Sequence, residues 1–166
     1  MNYFVTGATG FIGRFLVGRL LKREDSRVFA LVRSGSEYKL DALRRRLGVD
    51  ADRLVAIQGD INDKLLGVSK RDQDDLTGQV DHFFHLAAIY DLTADENTQR
   101  YTNIEGTRQT LKLAEKLQAR CFHHVSSIAA AGLYNGTFTE DMFEEATGLD
   151  DPYLLTKHES EALVRQ

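Results

Sequence analysis

The sequence predicts an α/β domain built on a doubly wound parallel sheet. Three observations carry this. Short apolar runs recur along the 166 residues, at 2–6, 27–33, 54–58, 80–85 and 121–125. Segments with apolar residues at helical spacing separate them. A glycine-rich turn follows the first run at once. Runs such as Val28-Phe29-Ala30-Leu31-Val32 are apolar without alternation, as strands covered on both faces are. Strands alternating with helices specify βαβ units with right-handed crossovers. The expected strand order is 3-2-1-4-5. A ligand crevice belongs at the C-terminal strand ends, where that order reverses.

Each element has its own signal. Tyr3 to Val5 is a buried strand, and Thr6 opens a turn that closes at Gly13. Phe11, Phe15, Leu16, Leu20 and Leu21 mark a first helix. Leu40, Leu43 and Leu47 mark a second, stopped by Gly48. Ser69 caps a short helix through about Leu76. Thr107, Leu111, Ala114 and Leu117 lie on one face of a long helix over about 95–119. A last helix starts near Pro152 or Tyr153. Residues 129–151, rich in Gly, Thr, Asp and Glu, read as a surface loop near the site. No repeat or low-complexity linker interrupts the pattern, so 1–166 reads as one domain.

Composition narrows the classes. The chain is 42% hydrophobic and 28% charged, with a net charge of −4. Its short cationic run, Arg44-Arg45-Arg46, reads as a solvated helix face, so no nucleic-acid partner is expected. No stretch of ~18 apolar residues is present, so no transmembrane helix is expected. The single cysteine, Cys121, excludes an intrachain disulfide and reads as a packed thiol. A cytoplasmic location is the expectation. His82, His85, His123, His124 and His158 match no metal-ligand spacing, and no metal is assigned.

The glycine turn carries the first chemistry. A strand, a tight loop and a helix N-terminus together hold a dinucleotide pyrophosphate, because the first helical N–H groups are unpaired and carry partial positive charge. Gly7 takes angles a side chain would penalise, Gly10 lets phosphates approach, and Gly13 packs helix on strand. Thr6, Thr9, Phe11 and Ile12 complete this loop. At the end of the second strand stands Arg33, with no adjacent acid. A carboxylate there would suit a free ribose 2′-hydroxyl, whereas a guanidinium suits a 2′-phosphate. NADP(H) is therefore the expected cofactor, with Arg14 assisting. After the third strand, Asp60 can accept from the adenine amino group beside Ile61, or simply form a turn. Leu86, Ala87 and Ala88, after the fourth strand, are placed to meet the nicotinamide ribose.

The remaining group is Ser126-Ser127 after the fifth strand with Tyr153 and Lys157. Residues four apart share a helix face. An ammonium beside a phenol favours the phenolate, which makes the phenol a usable proton donor or acceptor. A serine at the strand end can hydrogen-bond a reacting carbonyl oxygen.

These residues together resemble the extended short-chain dehydrogenase/reductase family, across essentially the whole chain. Thr6-Gly7-Ala8-Thr9-Gly10-Phe11-Ile12-Gly13 is similar to its cofactor loop, a Rossmann-type feature, and Asp60 to its adenine-contacting Asp. Asn103, before Ile104-Glu105-Gly106-Thr107, resembles its active-site Asn. Ser127, Tyr153 and Lys157 resemble its catalytic trio; Ser127 is preferred to Ser126 because it stands five residues before Gly132. A narrower likeness, to bacterial fatty acyl-CoA reductases, rests on residues 82–91, 122–132, 139–145 and 153–161. It implies reduction of a long-chain acyl-CoA or other acyl thioester by NADPH, through an aldehyde to an alcohol. Sugar-nucleotide epimerases and dehydratases share the trio, and a non-catalytic dinucleotide module is the other alternative. The family pattern continues with more sheet and a substrate domain, so the chain is expected to be the N-terminal part of a larger reductase. An open sheet edge would then favour a homo-oligomer.

Overall fold

The structure, a computed structural model, describes residues 1–89 and 95–166. Tyr90 and Asp91 of the fatty acyl-CoA reductase-like segment lie outside the described residues. Strands β1 (Asn2–Thr6), β2 (Arg27–Val32), β3 (Leu54–Gln58), β4 (His82–His85) and β5 (Cys121–His124) form one sheet in the order β3-β2-β1-β4-β5. Every neighbouring pair is parallel, and the reversal of order expected from the sequence lies between β1 and β4.

Helices α1 (Phe11–Leu20), α2 (Glu37–Leu47), α3 (Lys70–Leu76), α4 (Glu96–Arg100), α5 (Gly106–Lys116) and α6 (Pro152–Arg165) follow the predicted alternation. One core layer gathers Val5, Val17, Val28, Ala30, Leu40 and Leu43 beneath α1 and α2. The other gathers Phe4, Phe29, Leu66, Phe83, Leu113 and Leu117 beneath α3 and α5. Phe4 and Phe83 are fully buried and stack across the β1–β4 pair at 4.6 Å. Burying each such side chain stabilises the fold by about 1.5–3 kcal/mol.

β1 and β3 coincide with their apolar runs, β2 and β5 end one residue early, and β4 begins two residues late. Arg33 leaves the sheet because its carbonyl accepts from Ser36 N–H at 2.9 Å, which turns the chain into α2. Val125 also lies past β5, though its N–H still donates to His85 O at 3.0 Å. The helix signals hold. Gly48 closes α2 at φ +63°, and Ser69 Oγ accepts from Asp72 N–H at 3.1 Å to cap α3. Asp151 caps α6, accepting from Tyr153 and Leu154 N–H with Pro152 in the first position.

Two features go beyond the sequence expectation. The long helix over 95–119 is interrupted by a π-helical turn, Tyr101–Glu105, between α4 and α5, and Asn103 lies within it. Before α3, Leu65 and Leu66 sit at φ +50° and +56°, a conformation that costs an L-residue roughly 1–2 kcal/mol. The strain is offset by full burial of Leu66, whose carbonyl accepts from Asp60 N–H at 2.9 Å and fixes the turn after β3. Residues 131–151 are on the surface as expected, but anchored, whereas Ala129 and Ala130 are buried in the 3-10 turn Ile128–Ala131. Gly132 bridges to Thr147, and the Phe143 ring stacks on His158 of α6 at 4.2 Å.

Candidate active site

The C-terminal strand ends open into a cleft of about 730 Å³. Its floor is the glycine turn. Gly7 adopts φ +72°, and a Cβ there would lie 2.9 Å from Ala87 N. A Cβ on Gly13 would lie 2.1 Å from Gly7 O, so only glycine lets α1 start this close to the loop. Gly10 N–H donates to Gly7 O at 3.0 Å, and α1 then presents its first N–H groups at the cleft. Thr9, Gly10, Phe11, Ile12 and Gly13 all line it. Thr6 stands behind the wall, where its Oγ1 accepts from Leu86 and Ala87 N–H, both at 3.2 Å. It thereby fixes the backbone of two residues expected to meet the cofactor.

That hydroxyl belongs to a buried relay. Thr6 Oγ1 lies 2.8 Å from His85 Nδ1, and His85 Nε2 lies 3.0 Å from Thr107 Oγ1. Thr107 Oγ1 donates to Asn103 O at 2.6 Å. With that proton committed, the chain closes one way: His85 Nε2–H donates to Thr107, and Thr6 donates to Nδ1. A protonated ring would lose the bond from Thr6. Burial, then the charges of His124 and Lys157, lower the His85 pKa to about 3.

One end of the cleft carries Arg33, exposed at its rim, with Ser36 and Lys39 beside it. Ser36 and Lys39 were not singled out in the sequence. Their place in the turn and first turn of α2, three and six residues after Arg33, is the signal for them. Gly59, Ile61, Asn62 and Thr102 line the same cleft. Asp60 does not: its Oδ1 accepts from Asn62 N–H at 2.9 Å, the turn-forming role. Arg14 is also outside the lining. Its guanidinium lies 5.1 Å from the Phe11 and Phe15 rings, and its buried Nε has no hydrogen-bond partner among the described residues.

At the other end Ser126, Ser127, Tyr153 and Lys157 converge with Ala87 and Ala88. Ser127 Oγ accepts from Ala129 N–H at 3.2 Å, which leaves its proton free to donate. Lys157 is only 4% exposed, and its Nζ donates to Val125 O at 3.5 Å. Burial lowers its pKa, and the Glu161 carboxylate opposes that shift. Burial alone would raise the Glu161 carboxyl. Hydrogen bonds from Ser126, at 2.5 Å, and from Arg165 instead carry it below its ordinary value. His124 lies in the same cluster, both ring nitrogens buried and without a hydrogen-bond partner among the described residues. Burial and then Lys157 lower its pKa to about 4. Asn103 is not at the cleft surface. Its Oδ1 accepts from Ile89 N–H at 2.8 Å, and its Nδ2 donates to Ile89 O at 3.0 Å and Thr156 Oγ1 at 3.2 Å. It clamps the wall residue Ile89 to α6.

A dinucleotide fits these residues: a helix N-terminus meets a glycine turn, cations stand at one end, and Ser127, Tyr153 and Lys157 stand at the other. The family described as Male sterility protein matches residues 5–166. The L-2-aminoadipate reductase large subunit of Penicillium chrysogenum is 33% identical over 98% of this chain, which spans 13% of that protein. Fatty acyl-CoA reductase 1 of Xenopus laevis is 32% identical over 78% of this chain, equal to 28% of its own length. Among solved structures, the terminal R domain of the myxalamid PKS-NRPS biosynthetic pathway aligns with a TM-score of 0.81 at 31% identity. The alignment covers 99% of this chain and 45% of that one. UDP-glucuronic acid 4-epimerase from Bacillus cereus, in complex with NAD, aligns at 0.74 and 29% identity, covering 99% and 52%. This chain thus spans less than half of the R domain and a small part of the curated relatives. Among the described residues no helix is long and apolar enough to cross a membrane. By its match from residue 5 to residue 166, the chain belongs to the NAD-binding Male sterility protein family of extended short-chain dehydrogenase/reductases.

Proposed function

We propose that this chain is the cofactor-binding and proton-transfer part of an NADPH-dependent reductase that converts long-chain fatty acyl-CoA to an aldehyde and then a fatty alcohol. One observation supports this above others. A single cleft runs from Arg33, Ser36 and Lys39, past the glycine turn, to Ser127, Tyr153 and Lys157. The course of that wall suits a ligand with a phosphorylated ribose at one end and its reactive ring at the other. In this reading residues 1–166 are one dinucleotide-binding domain of a longer reductase.

NADPH, when bound, would supply hydride to the thioester carbonyl carbon; breaking the C–S bond then releases the CoA thiol and leaves the aldehyde, and a second NADPH would supply the hydride that makes the alcohol. Tyr153 delivers the proton to the carbonyl oxygen, and Ser127 hydrogen-bonds the same oxygen. Lys157 holds the nicotinamide ribose, and its ammonium stabilises the phenolate left on Tyr153. Asn103 acts from behind, as a positioning residue that keeps Ile89 and α6 in register. Asp60 shapes the adenine end through its turn.

The similar proteins include both fatty acyl-CoA reductases and an R domain of a PKS-NRPS pathway. The test therefore gives the complete reductase both a long-chain acyl-CoA and the same acyl group on a carrier-protein thiol. Reduction of the acyl-CoA with net NADPH consumption is the expected result. Reduction of the carrier-bound form alone moves the reading to carrier thioesters. A second reading, a sugar-nucleotide epimerase, is favoured only by the likeness to the NAD-bound epimerase. It requires turnover without net consumption of cofactor. Replacing Tyr153→Phe is expected to lower reduction by about 100–10,000-fold, the usual worth of a positioned acid. NADPH binding by calorimetry stays unchanged. Retained turnover removes Tyr153 from the role.

A further inference from the structure

Away from the cleft, β4 and β5 bring three ligating side chains onto one face of the sheet. His82 stands directly opposite Cys121 in the parallel register, and Cys121 and His123 alternate onto that face two residues apart. One ligand atom from each lies within 4.8 Å of the others. His82 Nδ1 and His123 Nε2 are 3.0 Å apart. Two nitrogens each about 2.0–2.1 Å from a tetrahedral ion stand roughly 3.3 Å apart, so the pair needs little movement to share one.

We propose that His82, Cys121 and His123 form a binding site for a borderline-soft divalent metal ion, zinc above all. The ligand set argues for this choice. Two imidazoles and a thiolate suit zinc and disfavour magnesium and calcium, which take oxygen donors. The strands supply the rigidity: both belong to the sheet, and the rings are held by stacking, His82 on Tyr3 at 5.8 Å and His123 on Phe84 at 4.3 Å. Each of the three is half-buried, which leaves room for a water as fourth ligand. The site is separate from the cleft, since none of its residues lines it. Linear spacing cannot show it, because the first ligand lies on a different strand from the other two.

The test titrates the reduced chain with cobalt(II) as the spectroscopic stand-in and then displaces it with zinc(II). One cobalt per chain, with a thiolate-to-cobalt charge-transfer band that zinc abolishes, is the expected result. Cys121→Ser removes the band. His82→Gln and His123→Gln each weaken binding by more than about 100-fold, since outer-shell changes alone cost roughly 10–100-fold. Circular dichroism and NADPH binding report that each variant is folded. Absence of stoichiometric binding by the unaltered chain overturns the proposal, whatever the variants do. So does a band that survives Cys121→Ser or affinity unchanged in both histidine variants.

Discussion

Lys157 keeps its ammonium where water barely reaches it, and its neighbours decide whether it stays charged. Burial works against the charge, and Glu161, one turn along α6, works for it. Ser126 and Arg165 hold that carboxylate ionised, so the row Lys157, Glu161, Arg165 alternates in sign along the helix. That Ser127, Tyr153 and Lys157 share one cleft was legible in the sequence, from strand-end position, helical spacing and the family likeness. Glu161 was not, since its role depends on Ser126 reaching across from another element. The same holds at the rim. Arg33 is readable from its place after β2, but Ser36 and Lys39 join it only once the chain turns into α2. Hydrogen bonds to charged groups contribute about 1.5–3 kcal/mol, so Arg33→Ala is expected to weaken NADPH binding by roughly 10–100-fold and NADH binding hardly at all. Adding Lys39→Ala should remove the remaining preference. Equal losses for the two cofactors in calorimetry would show that Arg33 does not read the 2′-phosphate.

At the scale of elements, the β1–turn–α1 unit is fixed by backbone contacts rather than by side chains. A methyl group at Gly13 meets the Gly7 carbonyl at 2.1 Å, and a main-chain oxygen held by the Gly10 N–H cannot step aside. Overpacking ordinarily costs about 1–3 kcal/mol, and Gly13→Ala is expected at or beyond the top of that range. A urea midpoint matching that of the unaltered chain would refute the contact. Element order and sheet order were legible because apolar runs and helical spacing are local signals. The π-turn at Tyr101–Glu105 was not, since the spacing of its residues does not set it apart from the helix on either side; within it Asn103 reaches Ile89 and Thr156. Asp60 shows the converse. A Gly-Asp pair after a strand reads equally well as a ligand contact or a turn, and the strained Leu65–Leu66 backbone that engages it is invisible in sequence.

For the whole molecule, acidity is the condition that matters most. His85 and His124 titrate near about 3 and 4 in the folded chain, against an ordinary 6.5. Between those values the unfolded chain binds more protons than the folded one. Stability is therefore complete above about pH 6.5 and falls as pH drops through the interval, by at most about 1.4 kcal/mol per pH unit for each histidine. Urea midpoints taken between about pH 7 and 5 should decline, and His85→Gln should flatten the slope. A profile flat in the unaltered chain would contradict the buried neutral ring. The relay through that ring also bears on how the protein is made. Its hydrogen bonds join residues 79 positions apart at Thr6–His85 and 53 apart at Asn103–Thr156. Contacts of that sequence separation close after local ones, so Thr6 can hold Leu86 and Ala87 only once β4 is made, and Asn103 can reach α6 only once Thr156 is. Until β4 is made, the glycine turn has no Leu86 or Ala87 to hold, and the cleft lacks the wall that faces it.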